Sequence, residues 1–119
     1  DYPTRDGTCV RDYVHVSDIA RAHLLAYQWI SNVERPLGVP IFNLGSGMGS
    51  TVQEVINTFE RVNHLKLNYR ISERRPGDVA VIYSRADKAF KELGWKPLYS
   101  LEEMMKTAWN WEKNYRHQS

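Results

Sequence analysis

Apolar and polar residues alternate along two stretches of this chain, as they do in strands with one buried face. From Cys9 to Val16 the alternation puts Arg11, Tyr13 and His15 on the face opposite the valines. A second alternating run and a short apolar pair complete the extended pattern. The three predicted strands span residues 9–16, 41–42 and 65–72.

Apolar residues spaced three or four apart predict helices. The first helix is expected to begin at Ser17, a good N-cap residue, and to run to about Asn32. The second should begin at Ser50 and Thr51, each of which precedes a Gln or Glu by three residues, the spacing of a capping box. The predicted buried stripes are Ile19, Ala22, His23, Ala26 and Ile30, and then Val52, Val55, Ile56, Phe59 and Val62.

Two further helices are expected near the end of the chain. Ser84 should cap a short helix that Gly94 ends and Trp95 covers. Ser100 forms a third capping box with Glu103 and opens the last helix, which should fray from Lys113 onward. The apolar face of that helix comprises Leu101, Met104, Met105, Ala108 and Trp111. Its two methionines are expected to fill the core.

Strands that alternate with helices place the chain in the α/β class, as short strands with about four helices. The 119 residues suffice for one core, so we expect a single domain over residues 1–119, although so small a sheet favours a larger parent protein. With no signal sequence or membrane-spanning run and a single Cys9, we expect a soluble, cytoplasmic protein. Sixteen basic and fourteen acidic residues are too balanced for a dedicated nucleic-acid binder.

The loop from Arg74 to Asp78 is the first candidate for chemistry. Two guanidinium groups flank a Pro-Gly turn and a carboxylate, a set that suits a phosphate beside a sugar diol. The alternative is an exposed loop with a local ion pair. Arg11 and Tyr13 present a second cation together with a phenol, with a solvent-facing strand edge as the alternative.

Two other features favour structure over chemistry. The glycine-rich turn at 43–49 fails the G-x-G-x-x-G pattern because Ser50 stands where the third glycine belongs, so its glycines serve mainly turn geometry. The helix that follows still presents an N-terminus to any ligand nearby. His23 is expected in the core, since no second ligand stands four residues on, and no metal site is predicted.

Four motifs taken in order carry a family resemblance. They are Val10 to Ala20 (VRDYVHVSDIA), Phe42 to Gly47 (FNLGSG), Arg74 to Asp78 (RRPGD) and Glu92 to Trp95 (ELGW). In this order and spacing they resemble the C-terminal portion of UDP-glucose 4-epimerases, of the extended short-chain dehydrogenase/reductase family. The resemblance covers nearly the whole chain.

The resemblance implies a small substrate domain that packs on an N-terminal Rossmann domain carrying NAD, in a homodimer. It implies that Arg11 and Arg75 bind the diphosphate and that Asp78 holds the ribose. The remaining implied contacts are Tyr13 lining the nucleotide site, Val52 against the nucleotide, and Ile82 near the sugar, where its bulk disfavours N-acetylated substrates.

The resemblance also implies the reaction, the interconversion of UDP-glucose and UDP-galactose through a 4-keto intermediate with bound NAD. The family's catalytic Tyr-x-x-x-Lys motif and its G-x-x-G-x-x-G fingerprint are both absent from this sequence. No catalytic or cofactor-binding residue is therefore assigned, and the chain should be inactive alone.

Three alternatives remain. The chain is the substrate domain of another nucleotide-sugar epimerase or dehydratase, a free-standing nucleotide-sugar binding module, or a small binder of RNA or DNA that uses Arg70, Arg74 and Arg75.

Overall fold

A computed structural model describes residues 1–32 and 38–117 of the chain. The four helices of this part are α1 (Val16–Ile30), α2 (Val52–Asn63), α3 (Asp87–Leu93) and α4 (Leu101–His117). Two short strands, β1 (Val10–Arg11) and β2 (Ser50–Thr51), pair antiparallel, with Val10 opposite Thr51 and Arg11 opposite Ser50. Val81 adds a single parallel bridge to Val10. The α/β class is confirmed for the described residues, with far less strand than predicted.

The core lies between α1, α3 and the turn that follows α3. Trp95 and Ala89 are fully buried there, and the Trp95 indole nitrogen donates to the Asp18 carbonyl at 2.8 Å. The αL residue Gly94, with φ of 66°, ends α3 as predicted and turns the chain so that Trp95 folds inward. A separate contact joins α2 to α4, where the Phe59 and Trp109 rings meet edge to face with centroids 5.8 Å apart.

The capping predictions hold best at α2 and α4. Thr51 and Glu54 form the complete capping box of α2, whereas the proposed Ser50 and Gln53 box does not form. Ser100 N donates to the Glu103 carboxylate at 2.8 Å at the start of α4. That helix continues to His117, beyond the predicted fraying point. Its exposed tryptophan is Trp111, because Trp109 faces α2.

The predicted strand over residues 9–16 is wrong beyond Arg11. His15 is 7% exposed and Val16 is 76% exposed, the reverse of the predicted alternation. The reason is that the His15 ring acts as the N-cap of α1, with Nδ1 accepting from Ser17 N at 3.0 Å, so the helix starts at Val16. Ser17 is therefore not the cap.

The other two predicted strands are also absent from the described structure. Residues 41–42 and 65–72 are irregular, and Ile71 is 90% exposed. Neither stretch pairs with a neighbouring strand among the described residues. Alternation of apolar and polar residues does not by itself form a strand, because a strand also needs a partner for its backbone hydrogen bonds. The short helix α3 starts at Asp87, two residues later than a cap at Ser84 predicts, and it lacks a side-chain cap because its N-cap residue is Ala86.

Helix α1 buries part of the predicted stripe. Ala22 is buried and Ala26 packs against the core as predicted, but Asp18 is also buried and Ile30 is 65% exposed. His23 is exposed rather than in the core, and its Nδ1 lies 2.8 Å from the Ile19 carbonyl oxygen. The helix ends at Ile30, two residues before the predicted Asn32.

Hydrogen bonds of three side chains, spaced three residues apart, connect the first part of the chain to later segments. The three residues are Asp12, His15 and Asp18. Asp12 accepts from Ser46 and Ser84, and His15 Nε2 lies 2.8 Å from Thr107 Oγ1. The fully buried Asp18 carboxylate accepts from the backbone amides that precede α4, those of Leu98 at 3.0 Å and Tyr99 at 3.2 Å. The segment from Arg11 to Asp18 is thus the hub of the fold.

Candidate functional site

Three backbone segments meet at Val10 and bring predicted site residues together. Val10 N donates to the Ala80 carbonyl at 2.8 Å, and Ile82 N donates to the Val10 carbonyl at 3.0 Å. On its other side, β1 pairs with β2, which leads directly into Val52. The loop that carries Asp78 therefore lies beside β1.

Arg11 is held in place by its own neighbourhood. Its Nη1 donates to the Val10 carbonyl at 2.8 Å and to the Val79 carbonyl at 2.9 Å. Its Nη2 lies 3.6 Å from Asp78 Oδ1, and the side chain is 26% exposed. Since backbone oxygens fix two of these contacts, the guanidinium has little rotamer freedom left to lose on binding a ligand.

Arg75 reaches the same carboxylate from the other side. Its Nε donates to Asp78 Oδ2 at 3.2 Å, and its side chain is 85% exposed. Gly77 takes φ of 85°, and Asp78 N donates to the Arg75 carbonyl at 3.2 Å, which closes the predicted turn. The two arginines thus share one carboxylate, which leaves one uncompensated positive charge among these three side chains.

Arg74, the other arginine of the loop, faces elsewhere. Its Nε lies 2.5 Å from Asp1 Oδ1, and its guanidinium carbon is 4.1 Å from the centre of the Tyr2 ring. The two loop arginines therefore lie apart, Arg75 against Asp78 and Arg74 against Asp1 and Tyr2.

Tyr13 lies at the border of a groove next to this cluster. Burial raises the pKa of its phenol, and the nearby Arg11 charge opposes that shift only in part. The phenol consequently stays protonated at neutral pH and can donate a hydrogen bond. The groove, about 670 Å³ in volume, is lined mainly by apolar side chains, among them Val14, Val16, Met104, Ala108 and Trp111. We call it the α1–α4 groove.

Val52 and Ile82 offer side chains rather than backbone groups. Val52 is 38% exposed and Ile82 is 54% exposed, while their amides are bonded to Cys9 O and Val10 O. The next two amides of α2 are also occupied, by the hydroxyls of Thr8 and Thr51. The first three amides of α2 are therefore already bonded within the chain, so this end of the helix offers a ligand its side chains.

Two glycines of the 43–49 turn are required for close packing, and this corrects the view that they serve turn geometry. A Cβ on Gly45 would lie 2.6 Å from Ser84 Cβ and clash with the Asp12 carboxylate. A Cβ on Gly49 would clash with the Val10 side chain. Only Gly47 takes a positive φ, of 69°, among these three. At Gly45 and Gly49 the missing side chains therefore make room for other atoms of the protein.

Asp12 lies beside the candidate site, and its hydrogen bonds were not predicted from the sequence. Its Oδ1 accepts from Ser46 N at 2.8 Å and from Ser46 Oγ at 2.5 Å, and its Oδ2 accepts from Ser84 N at 3.0 Å. The signal was present, because Asp12 is a carboxylate on the predicted apolar side of the first strand. A carboxylate there needs several donors.

Residues 1–32 and 38–117 lack two other features that would indicate a function. They contain no cluster of three or more His, Cys, Asp or Glu side chains arranged to hold a metal ion. Nor does this part of the chain contain a helix both long and apolar enough to cross a membrane.

Comparison with known proteins places this geometry in a family context. The family model described as GDP-mannose 4,6 dehydratase matches residues 1–108. A bifunctional UDP-glucose 4-epimerase and UDP-xylose 4-epimerase of Pisum sativum is 46% identical over 114 residues, which are 96% of this chain and 32% of the relative. The chain thus spans about a third of the length of the curated relatives that it matches.

Solved structures give the same result. The UDP-glucose-4-epimerase of Stenotrophomonas maltophila with bound NAD and formylated UDP-arabinopyranose superimposes with a TM-score of 0.91 at 42% identity, over 100% of this chain and 34% of that one. The Bifidobacterium longum enzyme in complex with NAD+ and UDP gives 0.87 at 43% identity, over 96% and 33%. The described fold is therefore that of the matching third of these extended short-chain dehydrogenase/reductase proteins.

Proposed function

The chain belongs to the GDP-mannose 4,6 dehydratase family, and we propose that it is the UDP-sugar-binding part of an NAD-dependent UDP-glucose 4-epimerase. The whole enzyme would interconvert UDP-glucose and UDP-galactose. The observation that carries the proposal is the convergence of Arg11 and Arg75 on Asp78. Two cations that share one anion keep a net positive charge, which attracts a second anion.

The diphosphate is the group that this cluster suits best. It carries about two negative charges, and each hydrogen bond to a charged group contributes roughly 1.5–3 kcal/mol. Arg11 would provide a fixed donor, while the exposed Arg75 would swing from Asp78 onto the ligand. Asp78 would then be free to accept from the ribose hydroxyls.

The remaining contacts follow from the residues beside the cluster. Tyr13 donates its phenol proton toward the nucleotide, and Val52 packs against it from the first turn of α2. Ile82 follows Asp78 along the same segment, and its branched side chain limits the space for an N-acetyl group on the sugar.

The residues of this chain do not fit NAD. Asp12 and Val10 occupy the space beside Gly45 and Gly49 of its glycine-rich turn, and the sequence has neither G-x-x-G-x-x-G nor Tyr-x-x-x-Lys. The cofactor and the catalytic groups would then belong to the N-terminal Rossmann domain of the intact enzyme, and the 119-residue chain would be inactive alone.

The α1–α4 groove is the surface that we assign to that domain. Val16 and Trp111 are 76% and 64% exposed beside Tyr13, which borders both the groove and the arginine cluster. An apolar surface of this kind normally packs against another domain. Its position next to Tyr13 would bring the catalytic domain beside the bound nucleotide sugar. For the intact enzyme we also propose a homodimer in the cytoplasm.

Two assays on the 119-residue chain test the proposal. Supplied with UDP-glucose and NAD, the chain should form no UDP-galactose, and measurable turnover would refute the division of labour. Calorimetry with UDP-glucose should then find millimolar binding, as expected of half a site. Micromolar binding would favour the free-standing binding module instead.

A further inference from the structure

Arg11 and Asp12, neighbouring residues of the hub, bind opposite ends of segment 78–84. The segment 78–84 runs beside β1 and carries Asp78 and Ile82. Arg11 bonds its beginning, through the Val79 carbonyl at 2.9 Å, and Asp12 bonds its end, through the Ser84 amide at 3.0 Å. Between these contacts, backbone hydrogen bonds to Val10 hold the middle.

The Asp12 carboxylate accepts a hydrogen bond from the part of segment 78–84 that lies beyond the strand pairing. The parallel bridge is confined to Val10 and Val81, so no further backbone pair fixes the end of the segment. Asp12 Oδ2 supplies the missing acceptor for Ser84, while Oδ1 holds the glycine-rich turn through Ser46. Gly45 permits this approach, because any side chain there would clash with the carboxylate.

We propose that Asp12 is a positioning residue of the UDP-sugar site, which sets segment 78–84 against β1 so that Asp78 and Ile82 face the ligand beside Arg11. This inference rests on the proposed function for its ligand. Its structural half, the fixing of segment 78–84 through Ser84, stands without any ligand.

The two oxygens of Asp12 allow the two arms to be separated. Asp12→Asn can keep an oxygen for Ser46 but places an amide N–H against the Ser84 N–H, so it breaks the Ser84 arm. Ser46→Ala removes one hydrogen bond to Oδ1 and leaves the Ser84 arm intact. The second variant is therefore the matched control for a general loss of stability.

Amide hydrogen exchange tests the structural half in the 119-residue chain. In Asp12→Asn the amides of Ser84 and Ile82 should exchange at least about tenfold faster, while those of α4 should not change. In Ser46→Ala the Ser84 amide should keep its protection. Unchanged exchange at Ser84 and Ile82 in Asp12→Asn would overturn the inference whether or not a ligand binds.

UDP tests the functional half, at a temperature where all variants are folded. Asp12→Asn should raise the Kd for UDP about three- to tenfold, and Ser46→Ala less than about twofold. Faster exchange with an unchanged Kd would make Asp12 a purely structural residue and overturn the positioning role. Failure of the unsubstituted chain to bind UDP would count against the proposed function instead, with the exchange result still deciding on Asp12.

Discussion

Arg11 places its guanidinium against Asp78, with Nη2 3.6 Å from Oδ1, and holds that position through the backbone carbonyls of Val10 and Val79. Asp78 is shared with Arg75, whose side chain is 85% exposed. Arg11 is therefore held by several contacts, whereas Arg75 is exposed and, among the described residues, bonded only to Asp78. We expect the two arginines to contribute differently to the free energy of ligand binding.

Replacement of either arginine by Ala in the intact enzyme should weaken UDP binding by roughly 1.5–3 kcal/mol, with Arg11→Ala the costlier. The reason is that Arg75 must lose about 0.5–1.5 kcal/mol of side-chain entropy to reach the ligand, whereas Arg11 is already ordered. Calorimetry of the intact enzyme with UDP measures both. Arg11→Lys is the control, since it keeps the charge and loses the fork of donors. Equal affinity of the Arg75→Ala and unsubstituted enzymes would remove Arg75 from the site.

His15 should contribute to stability through two separate bonds. Its ring caps α1 through Ser17 N and reaches Thr107 in α4. Loss of both in His15→Ala should cost about 1–3 kcal/mol in urea unfolding, of which the cap supplies about 0.5–2 kcal/mol. His15→Asn keeps a capping oxygen and should recover the cap's share. Identical midpoints for the Ala and Asn variants would show that the cap adds nothing.

Gly45 and Gly38 form a matched pair for testing the packing of the glycine-rich turn. Gly45→Ala forces a Cβ into the Asp12 carboxylate and Ser84, and overpacking of this kind costs about 1–3 kcal/mol. A Cβ on Gly38 meets nothing within 4 Å, so Gly38→Ala should be neutral or slightly stabilising. Thermal unfolding compares the two. A tolerated Gly45→Ala would contradict the packing of Asp12 described here.

The helices were predictable because their signals are local. Apolar spacing and a capping box lie within one or two turns, and the Thr51–Glu54 box and the αL Gly94 appear as expected. The strands were not, because a strand needs a partner that alternation cannot supply. Side chains of Asp12 and His15 take the hydrogen bonds that a longer ladder would have used.

The candidate site was predictable only in part. Local sequence placed Arg75 and Asp78 in one turn, and the family resemblance linked them to Arg11. Arg74 stays out of the cluster because it contacts Asp1 and Tyr2. Asp1 lies 73 residues before Arg74 in the sequence. No pattern near the loop carries that information.

Glu54 should make the start of α2 sensitive to acid. Hydrogen bonds from Arg5, and then from Thr51 N, hold the pKa of its carboxyl below the ordinary value. A group with a lowered folded-state pKa stabilises the fold above its unfolded pKa, near pH 4, and loses that contribution as the pH falls through the folded value. Melting temperatures between neutral pH and about pH 3 should therefore fall less in Glu54→Gln than in the unsubstituted chain.

Glu103 provides the control for this effect. It caps α4 in the same manner as Glu54 caps α2, and no arginine pairs with it among the described residues. Glu103→Gln measures at neutral pH what the loss of a capping carboxylate does to the melting temperature when no arginine ion pair is lost with it. A Glu54→Gln variant that loses stability in acid as steeply as the unsubstituted chain would contradict the assignment.

The most direct test of the account is an NMR titration of the labelled 119-residue chain with UDP, up to about 10 mM, roughly ten times a millimolar Kd. The account predicts that the amide signals of Tyr13 and Asp78 and the guanidinium signals of Arg11 and Arg75 shift together along one binding curve. Shifts confined to the surface of α2 and α4, or none at the highest concentration, would contradict it.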